Sequence, residues 1–300
     1  MNLRPTTLND VIGQSKIKQR LRISINAAKQ QQQSLPHLLF DGPPGLGKTT
    51  LARVVAHELG SSIQIANGSN LRSIKNVLPY LARLTANSVL FIDEIHRLTT
   101  LVCEFLYCVM EDFRMDLVTE GEAVSIDLPN FCLIGATTEA GSLPPPLVDR
   151  FAYKFHLGLY SNDELSELLL KNSRKIQVDL SKECAKILAG ASKDTPRVAN
   201  SLLKWIKDYT LGKNQQTSPS LIKDALTLAD IDPSGLDKND KTYLRTLTEM
   251  DGLNKPVGLL TLAAATSLNK DTITEQIEPF LLRRKLIKKT SKGRMLCPVT

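Results

Sequence analysis

The segment Gly42-Pro-Pro-Gly45-Leu-Gly47-Lys48-Thr49 constrains the fold of this chain more than any other stretch. It follows a short apolar run, His37 to Phe40, and precedes a stretch in which Leu51, Val54, Val55 and Leu59 recur at helical spacing. The pattern predicts strand, loop, helix. Gly42, Gly45 and Gly47 allow backbone conformations that a Cβ forbids. The N–H groups of the loop and of the helix start then converge on an anion, reinforced by the helix dipole. In such a cradle the lysine, here Lys48, reaches the β- and γ-oxygens of a nucleoside triphosphate, and the hydroxyl of Thr49 ligates Mg²⁺.

A second element supports the first. Val89 to Ile92 is continuously apolar, as a central parallel strand covered on both faces requires, and it ends in Asp93-Glu94. Carboxylates at the carboxyl end of such a strand face the ligand crevice. Asp93 is expected to hold Mg²⁺, and Glu94 to orient or deprotonate an attacking water. Together the two elements make nucleoside-triphosphate hydrolysis the leading reading.

Strand and helix patterns alternate over the first 160 residues, with strands expected at 37–41, 62–66, 89–93, 132–137 and 154–159. That predicts an α/β domain with a parallel sheet and helices on both faces. A hairpin interrupts it, with strands at Met115 to Val118 and Val124 to Leu128 joined by Thr119-Glu-Gly121-Glu122. Residues 161–232 read as a small helical domain, with helices at 162–175, 181–192, 196–211 and 218–229. Asp232-Pro233-Ser234-Gly235 marks a boundary. Residues 233–300 read as three helices (238–250, 257–267 and 272–285) followed by a basic β-hairpin. Thr272 and Glu275 are expected to form the capping box of the last helix. Three helices and a basic hairpin resemble a winged-helix DNA-binding module.

At 300 residues the chain is too long for one ordinary core. Its 42% hydrophobic and 23% charged residues are those of a soluble globular protein. No apolar signal core opens the sequence, and its longest mostly apolar stretch, Val257 to Leu268, is too short to span a bilayer. Five cysteines without a C-x-x-C pair, and four histidines, complete no zinc pattern. A reduced, cytoplasmic protein is therefore expected. The net charge of +7 is concentrated. Arg283, Arg284, Lys285, Lys288, Lys289, Lys292 and Arg294 fall in the last 22 residues with no acid among them, which leaves the remainder balanced at 31 charges of each sign. Such a basic patch is the footprint of a polyanion partner.

Two arginines stand out. Thr195-Pro196-Arg197 opens a helix, which puts Arg197 in the first turn, where the dipole disfavours a cation. Its partner is either a nucleotide phosphate or a local acid such as Asp194. Arg150, between the Pro144-Pro-Pro146 run and a strand, either acts in trans on a neighbouring subunit's nucleotide or pairs with Asp149. Spacing does not separate these readings.

The motifs Arg4-Pro5 through Gly13-Gln14, Gly42 to Thr50, Leu90-Phe-Ile-Asp-Glu-Ile-His96-Arg-Leu98, Met110-Glu-Asp-Phe113, Leu133-Ile-Gly-Ala-Thr-Thr138, Asp149-Arg-Phe151, Thr195-Pro-Arg-Val-Ala-Asn200 and Gly293-Arg294 resemble the RuvB family in the same order along essentially the whole chain. That family comprises the AAA+ motors of bacterial Holliday-junction branch migration. The resemblance implies an AAA+ P-loop NTPase domain at 1–160, a helical lid at 161–232 and a winged-helix head at 233–300. It implies a hexameric ring on double-stranded DNA at a four-way junction, loaded by a RuvA partner and joined by a RuvC-like resolvase. By the same resemblance Leu3, Arg4 and Tyr160 contact the nucleotide, and Gly45, Gly47, Lys48, Thr49 and Thr50 hold the phosphates of ATP and Mg²⁺. Asp112, Phe113 and Arg114 line the nucleotide site. Thr138 senses the γ-phosphate, Arg150 is the arginine finger and Arg197 the second sensor. Lys289 and Arg294 contact DNA phosphates. The chain departs from the family pattern in a shorter hairpin at 116–127, where RuvB grips RuvA. Glu139, Val148 and Lys289 stand where arginines are common, and Asn67 to Lys75 matches poorly.

Two other functions fit parts of this pattern: a clamp-loader-like ATPase, which would carry a helical collar in place of a basic winged helix, and a nucleotide-switched DNA-binding regulator with little turnover, against which Glu94 argues.

Overall fold

The chain enters through helix α1 (Ser15–Gln31) and then begins to alternate: β1 (Leu38–Asp41), α2 (Lys48–Leu59), β2 (Ile63–Asn67), α3 (Ile74–Leu81), β3 (Val89–Asp93), α4 (Thr100–Asp112). An antiparallel hairpin, β4 (Arg114–Thr119) with β5 (Glu122–Asp127), interrupts the alternation before β6 (Cys132–Thr137), α5 (Pro145–Asp149) and β7 (Tyr153–His156). The computed structural model describes residues 3–119 and 122–298, so Glu120 and Gly121 of the expected hairpin turn lie outside the described residues.

The five sheet strands are all parallel in the order β2-β3-β6-β1-β7. β1 is therefore the point at which the chain reverses its direction across the sheet. Its successor β2 lies at one edge, and the last strand, β7, returns to its other side. Ligands of open parallel sheets bind outside the carboxyl end of such a strand. The four residues Val89 to Ile92 are fully covered, as the apolar run predicts, because β3 sits between two other strands with α2 and α4 contributing to the layers over it. Leu39, Leu90, Ile92, Leu106, Val109, Leu133 and Phe151 share one core. The strand expected at 154–159 ends early. Beyond His156 the backbone leaves the sheet, after Leu157 N–H donates to the Asp41 carbonyl at 2.8 Å.

The helices α6 (Asn162–Lys175), α7 (Lys182–Gly190), α8 (Pro196–Lys213) and α9 (Pro219–Leu228) follow, each within two residues of the expected span. Then come α10 (Lys238–Glu249), α11 (Leu259–Thr266), α12 (Glu278–Arg283) and the hairpin β8 (Ile287–Thr290) with β9 (Gly293–Leu296). Tyr243, Leu247, Leu262, Ile273, Phe280 and Ile287 form the core of this last part. Residues of the expected last helix divide into a π-helical turn, Thr272–Ile277, and α12. Pro279 lacks an N–H and cannot close an ordinary i to i−4 bond, a usual cause of such a local widening. The expected capping box at Thr272 and Glu275 does not form. Asn269 starts the helix earlier, and its side chain accepts the Thr272 N–H at 2.6 Å.

Two compact units result: Met1–Glu164 with Thr195–Arg197, and Leu165–Asp194 with Val198–Thr300. The helical residues 165–194 and the terminal residues 233–298 therefore fall in one unit. The turn before α8 is bound to α10 by Lys193, whose ammonium reaches Asp237 at 2.7 Å and the fully buried Asp240 at 2.5 Å. Asp194 accepts from Arg284 at 3.3 Å.

Candidate nucleotide site and nucleic-acid interface

The phosphate loop begins where β1 ends. Gly42, Gly45 and Gly47 take φ of 133°, 84° and 96°, the left-handed region that side chains avoid. Gly42 is also pressed against the Leu157 carbonyl, where a Cβ does not fit. Lys48, the first residue of α2, is 7% exposed. Its Nζ donates to the carbonyls of Gly42 at 2.7 Å and Pro43 at 3.1 Å. Burial pushes this ammonium below its usual pKa, while Glu94 and Asp93 act in the opposite direction. A cation held by backbone carbonyls alone is suited to an anion that would outcompete them.

The acidic strand end lies against this loop. Thr49 Oγ1 donates to Asp93 Oδ2 at 2.8 Å, and the Glu94 N–H donates to Asp93 Oδ1 at 3.1 Å, so both carboxylate oxygens of Asp93 are oriented. Glu94 itself has φ of 51°, a strained conformation for a non-glycine residue. Its carbonyl packs onto Gly68, just beyond β2, so closely that a Cβ there collides with it. The adjacent hydroxyl and carboxylate are hard oxygen donors. Mg²⁺ takes one or two such protein ligands and completes its octahedron with water and phosphate, so Thr49 and Asp93 fit that ion. The side chain of His96 is 6% exposed, and its Nε2 lies 3.3 Å from Glu94 Oε2. Its Nδ1 lies 2.9 Å from the hydroxyl of buried Thr137, at the end of β6. Thr138 follows directly and is half-buried, and Thr50 is half-buried in the first turn of α2.

Among the residues expected at the base end, Tyr160 lies on the segment that runs past the loop. The backbone that leaves β7 passes Gly42 and is clasped by Gln14, whose amide donates to the Gly158 carbonyl at 2.6 Å and accepts the Gly158 N–H at 3.3 Å. Tyr160 is buried next to Gly13. Burial, then the charge of Glu164, pushes its phenol up to about 12. Leu3 is buried and Arg4 exposed. Arg197 joins the same unit as the phosphate loop: its N–H donates to the Gly45 carbonyl at 3.3 Å. Asp194, the acid weighed as its partner, is engaged by Arg284.

Arg150 lies elsewhere. It precedes β7, whose first residue Tyr153 pairs with Leu38, the first residue of β1. The phosphate loop follows the last residue of β1, about 13 Å away for a four-residue strand. Arg150 forms an ion pair with Glu111 of α4, not with Asp149. Asp112, Phe113 and Arg114 share this end of the sheet. Phe113 packs edge-on against Phe131 at 5.7 Å and lies 5.8 Å from His37, just ahead of β1. Arg114 pairs with Asp116 in the hairpin at 3.2 Å. The expected lining residues Asp112 to Arg114 therefore sit away from this chain's own phosphate loop.

At the other end of the chain, Lys289 and Arg294 converge on one acid. Glu278 is 0% exposed. Its Oε1 accepts from Arg294 Nε at 2.7 Å and from the Tyr243 hydroxyl at 3.1 Å, and its Oε2 takes Lys289 Nζ at 2.8 Å and Arg294 Nη2 at 3.3 Å. Burial opposes ionisation of this carboxyl, but the bonds from Arg294 and Lys289 prevail and hold it below its usual value. Arg294 also exchanges both backbone bonds with Val257 at 2.8 Å, and Gly293 has no room for a Cβ beside the Val257 carbonyl. Lys288 and Lys292 stay exposed on the same hairpin.

Comparison with known proteins agrees with this geometry. The Holliday junction DNA helicase RuvB P-loop domain matches residues 3–157, the RuvB AAA lid domain 160–232 and the RuvB C-terminal winged helix domain 233–300. The chain belongs to the RuvB family. RuvB, the Holliday junction branch migration complex subunit of Rhodopirellula baltica, is 44% identical over 99% of this chain and 82% of its own length. That of Helicobacter pylori strain J99 is 43% identical over 100% of this chain and 90% of its own. The solved Thermotoga maritima RuvB Holliday junction branch migration motor superposes with a TM-score of 0.89 at 36% identity, covering 99% of this chain and 96% of that one.

Three residues important to these sites were given no role by the sequence. Gly68 lies in the segment that matched poorly, yet only a residue without a Cβ lets Glu94 take its position. His96 follows the acidic pair closely enough to be noticed, but its contact with Thr137 depends on β6 lying beside β3. Glu278 reads in the sequence as one more helix acid.

Proposed function

We propose that this RuvB-family protein is a subunit of an ATP-driven DNA motor that moves the branch point of Holliday junctions. The observation that carries the chemistry is the meeting of Thr49, Asp93 and Glu94 at the mouth of the phosphate loop. ATP would lie along the loop with its base toward Leu3, Arg4 and Tyr160. Lys48 would exchange the Gly42 and Pro43 carbonyls for phosphate oxygens. Gly45, Gly47, Thr49 and Thr50 would line the phosphates, and Thr49 and Asp93 would hold Mg²⁺, which when bound neutralises charge developing on the phosphate oxygens. Glu94 would take a proton from the attacking water. Thr138 and Arg197 would sense the γ-phosphate.

Arg150, with Asp112 to Arg114, is presented at the far end of the sheet, a placement suited to a neighbouring subunit's nucleotide and to a hexameric ring. The exposed lysines of the terminal hairpin suit phosphate contacts that hold duplex without choosing sequence. The β4–β5 hairpin exposes Val124 and Ile126, an apolar surface suited to a RuvA-like partner. The division into ATPase domain 1–160, lid 161–232 and winged-helix head 233–300 belongs to this reading, as do a bacterial cytoplasmic setting and a RuvC-like resolvase as a further partner. No helix among the described residues is long and apolar enough to cross a membrane.

The test is phosphate release with and without duplex DNA and a RuvA partner, run beside dissociation of a labelled four-way junction. ATP-dependent dissociation is expected, with release stimulated by DNA. Lys48→Ala is expected to weaken ATP binding at least ~100-fold, since it removes a charged donor to phosphate. Release unaffected by both additions, together with intact junctions, would remove the motor reading.

A further inference from the structure

Glu94 cannot be held in place by its own element, because it sits at a strand end in a strained backbone conformation. Among the described residues the basic side chain within ion-pair distance of its carboxylate is His96, and His96 is in turn held by Thr137. The carboxylates facing the ring set its hydrogen-bond roles. The Glu139 N–H donates to Thr137 Oγ1 at 2.9 Å. The Thr137 oxygen keeps a second lone pair, so it can either donate to His96 Nδ1, 2.9 Å away, or accept from it, and the other ring nitrogen decides which. Nε2 lies 3.3 Å from Glu94 Oε2, with Glu139 Oε1 farther off at 3.9 Å, so the ring hydrogen belongs on Nε2 and the neutral ring accepts the Thr137 proton at Nδ1. The opposite tautomer would aim a lone pair at a carboxylate. Thr137 is 0% exposed and ends the strand that leads into Thr138, so it is a rigid origin for the chain of contacts.

We propose that His96 is a positioning residue for Glu94. Through Nε2–H it sets the carboxylate orientation needed to accept the proton of the attacking water, and through Nδ1 it ties that orientation to the strand end that leads into Thr138. This rests on the hydrolytic reading of the site. Histidine is suited to the position because its two nitrogens, on opposite sides of a rigid ring, bridge acceptor and donor at once.

Two substitutions separate orientation from packing. Glutamine places an amide N–H close to where Nε2 lies, whereas asparagine stops short, near Nδ1. His96→Asn is expected to lower kcat for ATP about 10–100-fold, the usual effect of losing a bond that orients a reacting group, with KM and directly measured nucleotide affinity within about threefold of wild type. His96→Gln should recover turnover to within about fivefold. Thr137→Val should lower kcat alone, and little further when combined with His96→Asn, since both break one chain of bonds.

The measurements use the full-length protein with duplex DNA, with Glu94→Gln in parallel. If Glu94→Gln turns over normally, the hydrolytic reading of the site fails. If Glu94→Gln is inactive but His96→Asn keeps kcat within threefold of wild type, the positioning role alone is overturned. It is equally overturned if His96→Gln is as slow as His96→Asn, if nucleotide affinity falls in step with kcat, or if the Thr137 and His96 effects simply multiply.

Discussion

The phosphate loop and the terminal hairpin both carry cations that motifs assign to phosphate, yet the fold treats them in opposite ways. Lys48 is buried against carbonyl dipoles, with Asp93 and Glu94 near enough to favour its charge but no carboxylate bonded to it. Its charge remains available to a ligand. Arg294 is bonded in fork geometry to a fully buried carboxylate and pinned by backbone bonds to Val257. Much of its charge is already used inside the protein. The same residue type in a matching motif can thus be a ligand-binding group or a structural one, and the partner atom decides which.

Perturbing each end should show the difference. The largest effect is expected from Glu94→Gln, which keeps the shape of the nucleotide end and removes its base. Phosphate release should fall ~10²–10⁴-fold while a fluorescent nucleotide binds with unchanged affinity. At the hairpin end the comparable change acts on stability. Glu278→Ala leaves the part-buried Arg294 and the buried Tyr243 hydroxyl without their acceptor and should cost about 1–3 kcal/mol in denaturant unfolding. A loss below ~1 kcal/mol would mean that the hairpin is not anchored as described. Gly68→Ala should cost about 1–3 kcal/mol, since the new Cβ meets the Glu94 backbone and one of them must shift. Unlike an ordinary core change, it should also lower kcat.

Acid sharpens the contrast. The folded pKa of Glu278 lies below its ordinary value of 4.5, so its stabilising contribution is complete above that pH and is lost as pH falls through the lower, folded value. Melting temperatures of wild type and Glu278→Gln should therefore differ most near neutrality and converge below pH 4.5. A constant gap down to pH 3 would contradict the ion network. The smallest effect is expected from Lys292→Ala. Exposed and uninvolved with Glu278, it should change stability by less than ~0.5 kcal/mol. If it contacts one DNA phosphate, the salt dependence of duplex binding should lessen by about 0.9 in slope.

Much of this protein was settled by its sequence. The glycine loop, the apolar run of β3 with its two acids, and the helical periodicities of residues 162–229 are local patterns. Local chain physics writes them directly: backbone freedom at glycine, alternation or continuity of burial, and caps. The positions of the sheet strands, the spans of the helices at 162–229 within two residues and the meeting of Thr49 with Asp93 were legible on that basis. The capping box at Thr272 was misread because a stronger cap, Asn269, lay three residues earlier, with a proline farther on that widened the helix.

What the sequence left open are contacts between residues far apart along the chain. The partner of Arg150 is Glu111, 39 positions away, and that pairing appears only when α4 and the approach to β7 reach the same end of the sheet. His96 meets Thr137 only because β6 inserts between β1 and β3. Glu278 becomes the hub of the hairpin only when it is buried there. Electrostatic partners are chosen by distance in space and by exclusion of water, and neither is written in any local pattern of residues.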